Sequence, residues 1–343
     1  MKTLRFIGMA LFAVLMCVNF TSCSNDQNTP TTEEQEFYTV QIGMGGELDI
    51  TYEPLSRTTT EDLFGIQVYS IPDKDEETVN WTPYAYGLFN DADDITINLL
   101  KGYKYKFVAT MIKDGMKKFD FNYGCNGFTG VGDPFWGTNG PTAFEAKFNY
   151  TSSWNLGGLG NGLSYLVDGK FYEHPNTDRY YGELENYELN DNNSKAMIKM
   201  KRVSFGAKFI AKGKAAESGT LEILITGAPK MELTPSADKK HISDTFTFSN
   251  VIEAWAANGN YTESIAVTIN WHRTDGSTIP LGTHDITYKR NATTVVNVKV
   301  VNDASAEGVG FDIDETELGI MPDDEDETTI EDGKIVETEV ETN

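Results

Sequence analysis

From Phe37 onward the chain repeats one pattern: short segments rich in Val, Ile, Thr, Phe and Tyr, separated by turn residues. The apolar positions recur every second residue, which predicts strands, and no long stretch carries the 3.6-residue period of an amphipathic helix. Tyr38-Thr39-Val40-Gln41-Ile42 and Leu48-Asp49-Ile50-Thr51-Tyr52 flank Gly43-Met44-Gly45-Gly46, which reads as two strands about a turn. Residues 64–69, 95–100, 103–112 and 117–121 predict further strands. Asp114-Gly115 joins the last two as a hairpin, because glycine accepts positive φ cheaply. Asp168-Gly169 repeats that device between 163–167 and 170–172. The stretch 124–162 is dense in glycine and aromatic residues without a clean period, and reads as long loops around one or two short strands. Polar Asn190-Asp191-Asn192-Asn193-Ser194 reads as a linker. A second run of strands follows: 197–200, 203–210, 220–226, 245–248, 265–271, 285–288 and 293–301, with Asp275-Gly276 marking a tight turn. The expected fold is all-β, two β-sandwiches in series, over residues 37–194 and 195–302.

The two ends depart from this pattern. Lys2 and Arg5 precede an apolar run, Phe6 to Phe20, too short to span a bilayer comfortably. Phe20-Thr21-Ser22-Cys23 and the polar Ser24-Asn25-Asp26-Gln27 that follows resemble the lipobox of bacterial lipoproteins. That resemblance implies a signal peptide over 1–22 and a lipid on Cys23, where two acyl chains make a stable anchor. Bulky Met16 makes Cys17 the poorer candidate, and an ordinary cleaved signal peptide is the alternative. Residues 23–36 then form a flexible tether. At the other end, 303–343 is an acidic tail. Its stretch 323–341 holds ten Asp or Glu against one Lys, Lys334. Weak alternation in Lys334-Ile335-Val336-Glu337-Thr338-Glu339-Val340 makes it a strand if a groove is offered.

The formal net charge is −24, and removing Lys2 and Arg5 with the signal takes it to −26. Nucleic acid and anionic membrane surfaces would be repelled by such a chain. After processing only Cys23 and Cys125 remain, and with Cys23 lipidated no intrachain disulfide is available. Stability has to come from buried apolar surface, which 39% hydrophobic and 12% aromatic residues can supply.

Signals for catalysis are sparse. His174, His241, His272 and His284 are scattered, and none stands in H-E-x-x-H. His272 and His284 meet only if their strands pair suitably. No nucleophile elbow, P-loop or dinucleotide fingerprint is present. Asp91-Ala92-Asp93-Asp94 and Asp312-Ile313-Asp314-Glu315 lack the glycine and terminal glutamate of an EF-hand loop and read as surface acid. No enzyme activity, metal or cofactor is expected. Trp136, Trp154, Tyr180 and Tyr181 either stack on sugar rings or close the open end of the first sandwich.

Several features together resemble the fimbrillin-type pilins of Bacteroidetes. They are Cys23, Arg57 in Leu55-Ser56-Arg57-Thr58-Thr59, the strand Leu63-Phe64-Gly65-Ile66-Gln67-Val68-Tyr69, Tyr84-Ala85-Tyr86-Gly87-Leu88-Phe89, Gly102-Tyr103-Lys104-Tyr105-Lys106-Phe107 and Met200-Lys201-Arg202-Val203-Ser204-Phe205. The resemblance runs in order over roughly 23–300. It implies two sandwiches of transthyretin-like topology, a lipid-anchored outer-membrane or fimbrial location, and identical or related subunits as partners. It also implies cleavage after Arg57, loss of strand 37–53, and its replacement by a donor strand such as part of 328–343. The alternative is an outer-membrane lipoprotein that captures glycan on the aromatic loops, with a host surface as a further partner.

Overall fold

The structure, a computed structural model, describes residues 35–47, 61–73, 80–93, 95–118, 124–125, 128–129, 144–153, 155–160, 164–165, 171–190, 194–212, 219–257, 259–299 and 311–317. The first block contains β1 (Phe37–Gly46), β2 (Leu63–Pro72), β3 (Thr82–Phe89), β4 (Thr96–Leu100), β5 (Tyr103–Ile112), the helical turn α1 (Gly115–Lys118), β6 (Gly124–Cys125), β7 (Phe128–Thr129), β8 (Lys147–Tyr150), β9 (Ser164–Tyr165), β10 (Phe171–Tyr172), β11 (Arg179–Glu188) and β12 (Lys195–Arg202). The second contains β13 (Ser204–Lys212), β14 (Gly219–Ile225), β15 (Met231–Leu233), β16 (His241–Thr247), helix α2 (Val251–Ala256), β17 (Thr262–Arg273), β18 (Thr278–Lys289), β19 (Ala292–Lys299) and β20 (Phe311–Glu317). The fold is all-β, and neither helix is long enough to cross a membrane.

In the first block eight strands follow the order β4-β1-β12-β11-β5-β2-β3-β8. Strand β12 turns this sequence into two layers. Its residues 195–200 pair in parallel with β1, while Lys201 and Arg202 pair with β11. Val40 and Ile42 of β1, Ile97 and Leu99 of β4 and Ile198 of β12 thereby reach the same buried cluster as Phe64, Ile66 and Phe107 of β2 and β5. The alternation read in the sequence is the cause: in β12 Ala196, Ile198 and Met200 face in, and Lys195, Met197 and Lys199 face out.

The second block stacks β16-β13-β19-β20 on β15-β14-β17-β18. Phe205 lies at its centre, with ring centroids 4.5 Å from Tyr288 and 4.7 Å from Phe248. The Asp275-Gly276 turn joins β17 to β18, with Gly276 at φ +85°.

Several expectations change. Strand β12, read as opening the second block, completes the first, so the change of block falls at Val203 rather than 195. Strand β20, read as part of the acidic tail, pairs antiparallel with β19 along its length. Strand β1 continues through Gly43 to Gly46 instead of folding back on itself at Gly43. The Asp114-Gly115 hairpin does not form. Asp114 has φ +53°, its N–H donates to the Asp62 carboxylate at 2.9 Å, and the Met116 N–H donates to the Glu61 carbonyl at 2.7 Å. Those bonds curl the chain into α1 against the start of β2. The Asp168-Gly169 hairpin holds at its stems, where β9 pairs with β10, and its turn lies outside the described residues.

Candidate functional site

Two regions hold arrangements beyond packing. One is the slot occupied by β1. This strand lies between β4, antiparallel over residues 37–41, and β12, parallel over residues 41–46. Val40 and Ile42 are fully buried, while Thr39 and Gln41 face out and bond to Asn98 and Asp93. At the end of the strand, Gly46 at φ +87° turns the chain toward the second block, and Glu47 meets Arg290 in the β18–β19 turn. Nη1 and Nη2 of Arg290 donate to the two Glu47 oxygens at 2.7 and 2.9 Å. The Arg202 backbone N–H donates to the same carboxylate at 2.8 Å. Arg202 in turn holds Asp178 through two bonds, at 2.7 and 2.6 Å. The guanidinium of Arg202 is held above its ordinary pKa: burial opposes this, and the Asp178 carboxylate outweighs it.

The second region is a cleft of about 360 Å³ beside the join of the blocks, lined by Tyr69, Trp81, Lys106, Tyr181, Glu183 and Ile252. Its far wall is the glycine-rich turn 157–160. Three buried polar side chains hold that turn: Gln67 accepts from the Leu156 N–H at 2.7 Å, Thr110 donates to the Leu159 carbonyl at 3.0 Å, and Arg179 donates to the Gly158 carbonyl at 2.7 Å and to that of Leu159. Lys106 sits between Glu183 and Glu185, 2.7 Å from each. Burial lowers the lysine pKa, and the hydrogen bonds it donates to both carboxylates outweigh it, so the ammonium is retained.

Of the residues singled out by sequence, Cys23, Arg57, Trp136 and Trp154 lie outside the described residues. Tyr180 and Tyr181 are 6% and 2% exposed. The Tyr180 ring lies under the Arg202 guanidinium, 5.7 Å away, and burial pushes its phenol up to about 12. The Tyr181 ring meets Trp255 edge-on at 5.6 Å, and burial followed by the Glu183 hydrogen bond raises its phenol. Neither offers an open face for stacking. Their alternation along β11 sends one into each core.

His272 and His284 do not meet: His272 is opposite Thr278, and His284 opposite Val267. Among the described residues no group of three or more His, Cys, Asp or Glu could hold a metal ion. Sequence reasoning missed Glu47, Arg290 and Trp81. The only local signal for Glu47 was a glycine placed just before an acid at the end of an apolar alternation.

No protein-family model matches the chain, and no curated protein matches it. Among solved structures, a candidate cell adhesion protein of Bacteroides eggerthii is similar with TM-score 0.40 and 12% identity, over 83% of this chain and 96% of that one. The fimbrial anchor protein Mfa2 of Porphyromonas gingivalis gives 0.37 and 8%, over 82% and 99%. The tip fimbrial protein Mfa3 of the same organism gives 0.31 and 8%, over 82% and 98%. Likenesses of this size say nothing of function.

Proposed function

We propose that this chain is a non-catalytic surface protein, anchored through lipid on Cys23, that serves as a fimbrial subunit or adhesin and assembles by strand exchange. The observation that carries the reading is the place of β1. It fills a slot with hydrogen-bonding partners on both sides and an apolar floor, and Pro54 and the polar run Ser56 to Asp62, with Arg57 inside it, separate it in sequence from β2. An empty slot would leave two strand edges and buried apolar surface open to water, and an incoming extended segment satisfies both at once. Treating the purified chain with an arginine-specific protease and sizing the products tests this. The expected result is a discrete cut after Arg57 followed by a ladder of associated chains. Absence of both the cut and the ladder overturns the polymerising version.

The cleft favours a second reading, glycan capture. Half-buried Trp81 and Tyr69 stand beside the Lys106–Glu183 pair, which combines ring faces for a sugar with charged hydrogen-bonding groups. Trp81→Ala is then expected to abolish binding on a glycan array. A blank array with the intact chain overturns this reading.

A further inference from the structure

The outer face of β1, β4 and β12 differs in sign from the chain as a whole. The sequence carries 52 Asp and Glu against 28 Lys and Arg, yet none of these three strands contains an acid. On the solvent side Gln41 stands opposite Lys195 and Gly43 opposite Met197, and Lys199 follows along β12. Gly43 has no side chain, which lets those of Met197 and Lys195 lie across β1. Lys201 and Arg202 are committed to the Trp255 carbonyl and to Asp178. Among the described residues, Lys195 and Lys199 meet no carboxylate. Phe37 and Met197, on the same face, are 55% and 45% exposed. Two unpaired ammonium groups thus flank exposed apolar surface, a combination that suits an extended acidic segment.

We propose that this face is the docking site of the chain's own acidic run, Asp323-Asp324-Glu325-Asp326-Glu327. Strand β20 brings the chain to the near end of the face. Its last residue, Glu317, is opposite Ala292, two residues from Arg290, and the Arg290 guanidinium holds Glu47 at the end of β1. Asp323 is six residues further on, a reach of up to about 20 Å. Along β12, Lys199 lies about 10 Å and Lys195 about 23 Å from Arg202. The acidic run, about 16 Å when extended, spans the roughly 13 Å between the two lysines.

The occupant is the chain's own run because a short tether gives it a higher effective concentration than a free copy offers. Copies of net charge −24 also repel one another. The contact is between exposed charges, so salt weakens it. One consequence rests on the strand-exchange reading, whereas the docking does not. Docking keeps the donor stretch 328–343 beside the chain's own first block. The cut after Arg57 withdraws β1, the strand across which Lys195 and Met197 lie. The event that opens the slot therefore also releases the donor.

The test is carbodiimide cross-linking of the uncut full chain, as an equal mixture of unlabelled and heavy-nitrogen copies, read by mass spectrometry. Amide links from Lys195 and Lys199 to 323–327 are expected within single-isotope pairs. None is expected from Lys239, exposed before β16 at the edge of its sheet opposite β20. A second chain carries Asp323→Asn, Asp324→Asn, Glu325→Gln, Asp326→Asn and Glu327→Gln together. In it Lys195 and Lys199 should be acetylated several-fold faster than in the parent, with Lys239 unchanged. Links found only in mixed-isotope pairs overturn the assignment to the chain's own run in favour of a second copy's. Absence of links, or acetylation unaltered by the five substitutions, overturns the docking. Because the chain is uncut, that failure leaves strand exchange standing, and a missing cut after Arg57 leaves the docking standing.

Discussion

Arg179 is 0% exposed, and its guanidinium is spent on backbone carbonyls of the 157–160 turn and on the Thr110 hydroxyl. Arg179→Ala opens a cavity and strands those carbonyls, so it is expected to cost about 3 kcal/mol or more, read as a lowered urea midpoint. Asp62 presents the opposite case. Burial raises its carboxyl pKa, the Asp114 N–H hydrogen bond pulls the other way, and the Asp114 charge adds to the rise. An acid whose folded pKa is raised contributes stability that is fully present below its unfolded pKa and lost as pH rises through the folded one. Asp62→Asn keeps an oxygen for the Asp114 N–H and removes the charge. It should stabilise the chain at pH 7 by up to about 1 kcal/mol, about 2–4 °C in Tm. The gain should vanish below about pH 4, where the wild-type carboxyl is protonated in both states. A melting series over pH 3–8 checks the sign. Neither role is visible in the sequence, because Asp178-Arg179 and Glu61-Asp62 read as surface charge until the fold buries them.

At the level of elements, the strands with β-branched alternation were legible, and β5 falls on residues 103–112 as read. Strand β11 was not. Arg179-Tyr180-Tyr181-Gly182-Glu183-Leu184-Glu185-Asn186-Tyr187-Glu188 is too acidic to look like the interior of a sheet, yet it lies between β5 and β12. Its charges are met across the strand by Lys106, and Asn186 at φ +55° marks a bulge between Leu184 and Tyr187. The Asp114-Gly115 turn shows the converse failure. A strong local signal lost to the Asp62 carboxylate and the Glu61 carbonyl, partners over fifty residues away. The long edge strand β18 carries Pro280 and a bulge beside Gly282, devices that discourage pairing with another chain. In β1, Gly46→Ala must both strain φ and crowd the Met200 carbonyl. It should destabilise the chain by about 1–3 kcal/mol, whereas Ala at Gly102, where a Cβ would meet nothing within 4 Å, should carry only the positive-φ penalty. Paired thermal melts of the two variants separate the close contact from the backbone strain.

Among the described residues the two blocks share a core. Leu63, Val108, Leu159 and Tyr181 of the first block lie in one buried cluster with Val203, Phe205 and Val251. The surface the two blocks share was not legible in the sequence, since it draws on the outward faces of strands and on a glycine-rich stretch without a period. Calorimetry is expected to show a single unfolding transition, and Phe205→Ala, at the centre of the second block, should lower it as a whole by about 3–5 kcal/mol. Two resolved transitions would refute the coupling. The net charge of −24 makes copies repel at low salt, so any self-association should strengthen as ionic strength rises, measured by sedimentation. The setting of β1 has a further consequence. Its hydrogen bonds to β4 and β12 lie across the strand, so a pull at residue 36 along its axis loads both ladders in shear rather than opening them one bond at a time. At the far end of the strand, Glu47 ties it to Arg290 of the second block. A chain held at residue 36 behaves as a grip under tension, and it yields only when a whole strand slides.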